Sequence, residues 1–408
     1  MAAKTTLQKT LTQKKEIHHK EQSVIEVHEI ETFSLNTPLK KKIEFFSLLP
    51  YTNYPFSKRN WGHNLHTLCS YQSRLKASIA YYLVHTFSKP KEKILDPFSG
   101  VGTIPFEACL NGRFGYGVDI NPVAYNTTLA KVQVPKKEAV LQVLEKLEKF
   151  LSKGNHNDSS VDEYTRRFYH KKTLKEILIA REFFIKNFNS KEKDPAFSFL
   201  LSCMLHILHG NRPYALSRRS HNLTPLAPQG PTIYKSVLQS LLNKVNISYK
   251  NPLSKKYLRG SAEMGSVFDL PYKDENFHAV ITSPPFWKST RFYANNRIRL
   301  WFCGWDYHTQ EKKGRSEFME ERQKESLGEY QKVFGEFSRV LKPGGLCVMH
   351  LGVISGMDIG KKIISLAEKS NFQFIDLVYE DTESMEKHGM RDQGVTTMHE
   401  FLILKNKS

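Results

Sequence analysis

Apolar residues along the chain follow two alternating patterns, short continuous runs and longer repeats with helical spacing. The short runs cover 93–96, 114–119, 280–282, 346–351, 372–379 and 399–405. Runs of this length are typical of buried strands, whereas apolar positions three or four apart, as over 327–341, predict helices. A Lys-Pro-Gly-Gly stop signal ends the latter repeat. Strands that alternate with helices indicate an α/β protein with a mostly parallel sheet.

The pattern changes along the chain divide it into four segments. We predict a flexible N-terminal arm over 1–36, a first α/β part over 37–134, a largely helical basic insertion over 135–254 and a second α/β part over 255–408. The arm mixes Lys, Glu, Gln and His with few large apolar residues, so it has little to bury. Within the first part, apolar spacing over 61–87 predicts an amphipathic helix that leads into a strand.

A glycine-rich turn follows the strand at 93–96. Gly100 and Gly102 allow a tight bend and a close approach of the backbone to a ligand, and a helix is predicted from about Thr103 to Leu110. Asp119, at the end of the next strand, is placed to accept hydrogen bonds from ribose hydroxyls. Gly-x-Gly alone is weak evidence, and Pro105 stands where a dinucleotide fingerprint has its third glycine.

A second short motif, Ser283-Pro284-Pro285-Phe286, ends the apolar run at 280–282. Each proline fixes φ and lacks an N–H, so the chain leaves the sheet there and does not continue as a helix. Ligands of α/β sheets bind at the carboxyl ends of strands, where such a tip would hold a flat, amino-bearing ring. The competing interpretation is a proline-rich turn after a core strand.

The two motifs together resemble those of the S-adenosylmethionine-dependent DNA amino-methyltransferases, which act on N4 of cytosine or N6 of adenine. The run from Asp96 to Thr103 resembles the cofactor loop of that family, and Ser-Pro-Pro-aromatic is most similar to its N4-cytosine branch. The resemblance covers about residues 60–130 and 255–405. It implies a Rossmann-like methyltransferase fold with a mostly parallel seven-stranded sheet and an antiparallel C-terminal strand.

The resemblance also implies roles for individual residues. Ser283 and the Pro284 carbonyl would accept hydrogen bonds from the target amine, and Phe286 would stack on a base flipped out of the duplex. Ser261, near a predicted third strand tip, is the candidate contact for the cofactor adenine. The candidate catalytic residues are Ser283, Pro284, Pro285 and Phe286. The candidate cofactor residues are Asp96, Pro97, Phe98, Gly100, Gly102, Thr103 and Asp119. Methyl transfer of this kind needs no metal, and no metal ligand is predicted.

Charge points to a polyanionic partner. The formal net charge of the 408 residues is +19, with a pI near 9.5. Residues 195–260 contain nine Lys or Arg and no Asp or Glu, which favours target recognition over a solvated basic loop. We expect double-stranded DNA as the partner, with RNA as an alternative, and a cognate restriction endonuclease as a possible companion. The candidate nucleic-acid contacts are Arg212, Arg218, Arg219, Lys288 and Arg291.

The remaining expectations concern location and competing functions. No run of about 18 apolar residues and no apolar N-terminal segment occur, so we expect a cytoplasmic protein without a membrane helix or secretory signal. The five cysteines show no Cys-x-x-Cys spacing, which argues against a cysteine zinc site. The rival functions are N6-adenine methylation of DNA, amino methylation of RNA, an NAD-dependent oxidoreductase on the same type of sheet, and a non-enzymatic nucleic-acid binder.

Overall fold

The structure is a computed structural model that describes residues 37–407 except 59, 155–160, 190–191, 221–226, 288–291, 355–356 and 382–395. The predicted N-terminal arm over 1–36 lies outside the described residues. Among the residues that are described, no helix combines the length and the apolar character needed to cross a membrane.

A single seven-stranded sheet organises the described part of the chain. The strands are β1 (Lys93–Asp96), β2 (Phe114–Asp119), β3 (Ser261–Met264), β4 (Phe277–Thr282), β5 (Leu341–Ile354), β6 (Phe372–Asp381) and β7 (Thr396–Asn406). Their order is β3-β2-β1-β4-β5-β7-β6. Strand β7 is antiparallel to both neighbours, and the other pairings are parallel. The predicted Rossmann-like methyltransferase fold, with its antiparallel C-terminal strand, is confirmed.

Helices lie between the strands because parallel neighbours need a long crossover. Those before the insertion are α1 (Leu39–Ser47), α2 (Ala77–Phe87), α3 (Thr103–Leu110) and α4 (Pro122–Val132). The insertion holds α5 (Lys137–Lys153), α6 (Glu163–Arg166), α7 (Lys171–Asn187), α8 (Pro195–Ile207) and α9 (Val237–Ser248). The second part holds α10 (Phe292–Asn295), α11 (Arg297–Phe302), α12 (Tyr307–Ser316), α13 (Met319–Glu325), α14 (Glu329–Val340) and α15 (Ile359–Lys369).

Helix α3 packs unusually close to β2, and this contact explains the sequence around Pro105. A Cβ built on Gly115 of β2 would lie 1.9 Å from the carbonyl oxygen of Pro105. In a dinucleotide fingerprint the third glycine, on the helix, permits close packing of helix and strand. Here Gly115 on the strand permits the close packing instead, so a proline is tolerated at position 105 of the helix.

The helices of the insertion do not form a separate core. Buried residues of α7 and α8, such as Phe184 and Leu200, belong to the same hydrophobic cluster as Phe106 of α3 and Val123 of α4. Apolar side chains of α11 join this cluster as well. The insertion is therefore packed onto one face of the sheet through the α3–α4 layer. The predicted boundaries and the role of 135–254 as a recognition region stay predictions.

Two local expectations are wrong. The helix predicted over 61–87 begins only at Ala77, because a short 3-10 turn at Asn64–Thr67 precedes it and Ser73 has a φ of 53°, which an α-helix cannot include. Ser261 is the first residue of β3 rather than its tip, since the strand continues to Met264. Its hydroxyl accepts a hydrogen bond from Lys193 Nζ at 3.0 Å. Ser266 lies just beyond the actual tip.

Candidate active site

The carboxyl ends of β1, β2 and β4 open onto one cavity, and both sequence motifs reach it. Of the predicted residues, the cavity is lined by Asp96, Pro97, Phe98, Gly100, Thr103, Asp119, Ser283 and Pro285. Gly102, Pro284 and Phe286 are described but are not among its lining residues. Strands β1 and β4 are direct neighbours, with Leu95 paired to Val280, and this pairing brings the two loops together.

The glycine bend depends on two left-handed residues, Gly100 with φ 49° and Gly102 with φ 67°. The N–H of Gly102 donates to the Ser99 carbonyl at 2.7 Å, which closes the turn before α3. The two glycines differ in their surroundings. A Cβ on Gly102 would lie 2.9 Å from Thr128 Cα, whereas a Cβ on Gly100 would meet only Tyr71 Cε1, at 3.7 Å. Gly102 is thus required by packing, and Gly100 lies on the open side of the bend.

Asp119 ties the end of β2 to the glycine bend. Its Oδ2 accepts the N–H of Gly100 at 2.8 Å, and its Oδ1 accepts the N–H of Asn121 at 2.9 Å. Burial raises the pKa of Asp119 to about 7, while the two N–H donors act in the opposite direction. Each carboxylate oxygen can accept more than one hydrogen bond, so the group can still receive hydroxyl donors from a ligand in the cavity.

Asp96 links the two motif strands directly. Its Oδ1 accepts the hydroxyl of Thr282, the last residue of β4, at 2.6 Å and the N–H of Phe98 at 3.2 Å. Burial raises the pKa of Asp96 to about 7, and the Thr282 hydrogen bond acts against this rise. Asp96 therefore holds the base of the β4 tip and the start of the glycine loop in one fixed arrangement.

Ser283 faces a histidine that the sequence did not suggest. Its Oγ lies 3.1 Å from Nδ1 of His350 on β5. Burial lowers the pKa of His350 well below its usual value, and His399 acts in the same direction. The Phe286 ring lies 5.3 Å from the His350 ring and against Gly352, where a Cβ would be 2.5 Å from Phe286 Cδ2. Phe286 is thus brought against β5 and not into the cavity.

Other cavity residues carry no signature in the sequence. Glu320 of α13 lines the cavity, is almost fully buried and accepts the Phe292 N–H at 2.8 Å. Burial raises its pKa to about 8. The Phe292 ring stacks on Tyr71 at 5.7 Å, and both residues line the cavity. Gln323 Nε2 donates to the Pro285 carbonyl at 3.0 Å, which fixes the proline tip from the side of α13.

Comparisons with known protein sequences find methyltransferases. Residues 66–174 match the family model described as UPF0020, RMKL-like, methyltransferase domain. The chain is 26% identical over 242 residues to the type II methyltransferase M.MvaI of Kocuria varians, covering 53% of this chain and 51% of that protein. The chain thus spans about half the length of this curated relative.

Solved structures of methyltransferases are also similar. One is a SAM-dependent methyltransferase from Methanosarcina mazei, with 11% identity, a TM-score of 0.31, and coverage of 79% of this chain and 96% of that one. Another is a TehB-like SAM-dependent methyltransferase from Corynebacterium glutamicum, with 8% identity, a TM-score of 0.30, and coverage of 91% and 100%. The topology and the family-model match support an S-adenosylmethionine-dependent methyltransferase.

The residues around the cavity fit this cofactor. Asp119 would accept the ribose hydroxyls, and the open side of Gly100 would let the backbone come close to the ligand. The cavity is lined by the buried carboxyl groups of Asp96 and Glu320 and the half-buried one of Asp119, which match a ligand that carries a positive sulfonium. Each carboxylate oxygen of Asp119 already holds one backbone N–H, so the group is oriented before a ligand binds.

The predicted nucleic-acid contacts lie in different environments. Arg212 is half-buried. The pKa of Arg74, which lines the cavity, is lowered by the burial of Arg74 itself and by the charge of Arg212. Arg218 donates from Nε to the Gly230 carbonyl at 2.7 Å and so holds its own loop, whereas Arg219 is exposed. Lys288 and Arg291 lie outside the described residues. Of the three described candidates, Arg212 is the one whose charge acts on a cavity-lining residue, Arg74.

Proposed function

We propose that this chain transfers a methyl group from S-adenosylmethionine to the exocyclic N4 amine of cytosine in double-stranded DNA, after the base is flipped out of the helix. The observation that carries the proposal is the meeting of the glycine bend and the Ser283–Pro285 tip at one cavity. A donor held by the bend and an amine held by the tip would be aligned for in-line displacement, and such alignment supplies much of the rate enhancement.

The chain's own residues would make the amine nitrogen available. The amino group of cytosine is conjugated with its ring and is a poor nucleophile. Hydrogen bonds from its two N–H groups to Ser283 Oγ and to the Pro284 carbonyl would favour a more tetrahedral nitrogen as positive charge develops there. S-adenosylmethionine, when bound, supplies the electrophilic methyl group. Asp96 and Gln323 would keep the tip rigid from both sides.

Three observations support DNA as the substrate. The Ser-Pro-Pro-Phe tip resembles that of N4-cytosine enzymes, the relative from Kocuria varians is named a type II methyltransferase, and the chain carries a net charge of +19. Arg212, close to Arg74 at the cavity, and exposed Arg219 are the described cations we assign to the phosphate backbone. This hypothesis implies that the chain is the modification enzyme of a restriction–modification system.

A flipped base needs an aromatic surface to replace its lost stacking. Phe286 is the residue that the family resemblance assigns, although its ring lies against β5. Phe292, stacked on Tyr71 at the cavity wall, is the second aromatic that could serve. Phe286→Ala and Phe292→Ala, each assayed for turnover and for cofactor affinity, would separate the two: the stacking residue loses turnover and keeps its cofactor affinity.

The decisive experiment is nucleoside analysis after reaction. Purified protein is incubated with S-adenosylmethionine and either duplex DNA or RNA, and the products are digested and examined by mass spectrometry. We expect 4-methylcytosine in DNA. Detection of 6-methyladenine, or of methylated nucleosides in RNA alone, would show that the substrate is wrong but that amine methylation is right. If neither polymer yields a methylated nucleoside, the proposal is contradicted.

A matched pair of serine variants tests the site itself. Ser283→Ala removes the amine acceptor and is expected to lower turnover by about 100-fold, the scale of losing one preorganised transition-state hydrogen bond, with cofactor affinity unchanged. Ser47→Ala, at the exposed end of α1, is the control and should behave like the parent chain. Equal turnover in both variants would show that Ser283 takes no part in the reaction.

A further inference from the structure

Three side chains behind the catalytic tip form a compact buried cluster, and we call it the His-Glu-His cluster: His350 on β5, Glu380 on β6 and His399 on β7. Each offers one ligand atom, and these atoms all lie within 4.8 Å of one another. Strand register explains the meeting. His399 pairs with Glu380 on one side and with Gly352 on the other, and residues 350 and 352 point to the same face of β5.

The cluster is enclosed by protein. His350 is 4% exposed and Glu380 is 1% exposed, while the side chain of His399 is 19% exposed. The ring of Phe401 stacks on His350 at 4.9 Å, and Phe286 covers the cluster from the side of the tip. Among the three described side chains of the cluster, His399 is the most exposed.

Hydrogen bonding inside the cluster is incomplete. His399 Nδ1 lies 3.0 Å from Glu380 Oε2, and His350 Nδ1 is engaged by Ser283 Oγ. The other nitrogen of His350, Nε2, is buried and has no hydrogen-bond partner in the described part of the chain. Glu380 is paired with His399 and has no Lys or Arg ion pair among the described residues. A buried polar atom left without a partner costs about 1–3 kcal/mol, so His350 Nε2 calls for a compensating group.

We propose that the His-Glu-His cluster binds a divalent first-row transition metal ion, with Zn²⁺ as the ion it suits best. Two imidazole nitrogens and one carboxylate oxygen are a common three-ligand set for zinc, at about 2.0–2.2 Å from the ion. Tetrahedral ligands at that range are roughly 3.3 Å apart, so atoms now up to 4.8 Å apart need only small side-chain rotations.

The surroundings of His350 match those of a metal-bound histidine. Such a residue usually donates its second N–H to an oxygen acceptor, which fixes the tautomer and the ring orientation. With Nε2 on the ion, the Nδ1–H of His350 would donate to Ser283 Oγ, across the 3.1 Å contact. The contact between His399 Nδ1 and Glu380 Oε2, now 3.0 Å, would be replaced by bonds from each residue to the ion. The ion would thereby hold the Ser283 hydroxyl in one position.

The test measures metal rather than methylation, so its outcome is independent of the proposed substrate. The untagged full chain is stripped with a chelator, and Zn²⁺ is titrated in competition with a chromophoric chelator; the metal content of the dialysed protein is then counted by mass spectrometry. We expect one tightly held equivalent, and Co²⁺ in its place should give visible d–d absorption.

Isosteric variants locate the ion. Glu380→Gln and His399→Gln should each weaken Zn²⁺ binding at least 10-fold, and His308→Gln, at an exposed position on α12, should leave it unchanged. Ser283→Ala, which removes the outer hydrogen bond to His350, should weaken binding about 10-fold. Far-UV circular dichroism verifies that each variant is folded. The proposal would be overturned if the folded parent chain bound no equivalent of zinc. It would also be overturned if the Glu380 and His399 variants bound Zn²⁺ as tightly as the parent chain.

Discussion

The two glycines of the cofactor bend allow a matched test of the site's architecture. Gly102→Ala places a Cβ 2.7 Å from Thr128 Oγ1 and 2.9 Å from Thr128 Cα, both closer than real Cβ contacts. Gly100→Ala, two residues away, meets only Tyr71 Cε1 at 3.7 Å. Both positions have positive φ, so both variants carry the same type of backbone strain. The difference between them therefore reports the contact with α4.

The expected magnitudes follow from this geometry. An alanine in the left-handed region costs about 1–2 kcal/mol, which applies to both variants. Overpacking adds about 1–3 kcal/mol where the neighbour cannot move away, and Thr128 Cα belongs to a helix backbone. Gly102→Ala should thus lower the free energy of unfolding by about 2–5 kcal/mol and Gly100→Ala by about 1–2 kcal/mol.

Denaturant unfolding of the full chain provides the measurement, with each variant compared with the parent at equal slope. Adding Thr128→Ala to Gly102→Ala should recover part of the loss, because it removes Oγ1 and Cγ2 but leaves Cα in place. If the two glycine variants differed by less than about 0.5 kcal/mol, a common limit for additive surface effects, the close contact at Thr128 would not exist as described.

Three further outcomes are expected. Asp119 is the proposed acceptor of the ribose hydroxyls, and its ionised form accepts them best. Because burial raises the pKa of Asp119 to about 7, calorimetric titration should show cofactor affinity rising as the pH passes through 7. Asp119→Asn should bind more weakly and without that dependence. The pKa of Glu320, raised to about 8 by burial, means that the free energy of unfolding falls as pH rises from 4.5 to 8, by at most about 5 kcal/mol, and Glu320→Gln should remove this fall. Gly352→Ala, whose Cβ would displace the Phe286 ring, should lower turnover. In a Phe286→Ala background the same substitution should have little further effect on turnover. Additive losses of turnover would show that the two residues act separately.

The features that the sequence predicted correctly are local ones. The glycine bend, the acid at the end of β2 and the proline tip each lie within about ten residues of a buried strand, so their positions at the carboxyl edge follow from strand direction alone. The sheet order then decides that the two loops meet. The parallel pairing of β1 with β4 is a long-range contact, and only the family resemblance indicated it beforehand.

The features that the sequence missed depend on register between distant strands. Residues 350, 380 and 399 meet because β7 lies between β5 and β6, and no spacing along the chain marks them. Phe286 lies against β5 because position 352 is a glycine that leaves room for its ring. Ser261 was misplaced because β3 begins later than its apolar residues suggested. The cluster and the position of Phe286 thus depend on side chains from other strands, whereas the error at Ser261 concerns only where its own strand begins.

The charges of the protein are separated in a way that suits two oppositely charged ligands. The chain as a whole has a net charge of +19, yet the cavity is lined by the carboxyl groups of Asp96, Asp119 and Glu320, whose pKa values burial raises to about 7 or 8. A cationic ligand favours the ionised form of each, so binding it would lower these pKa values and offset the cost of burying the charges. The net positive charge of the chain favours a polyanion at its surface, whereas the carboxyl groups favour a cation in the cavity. This separation of charge supports the proposal that a cationic cofactor and a polyanionic substrate meet at the same site.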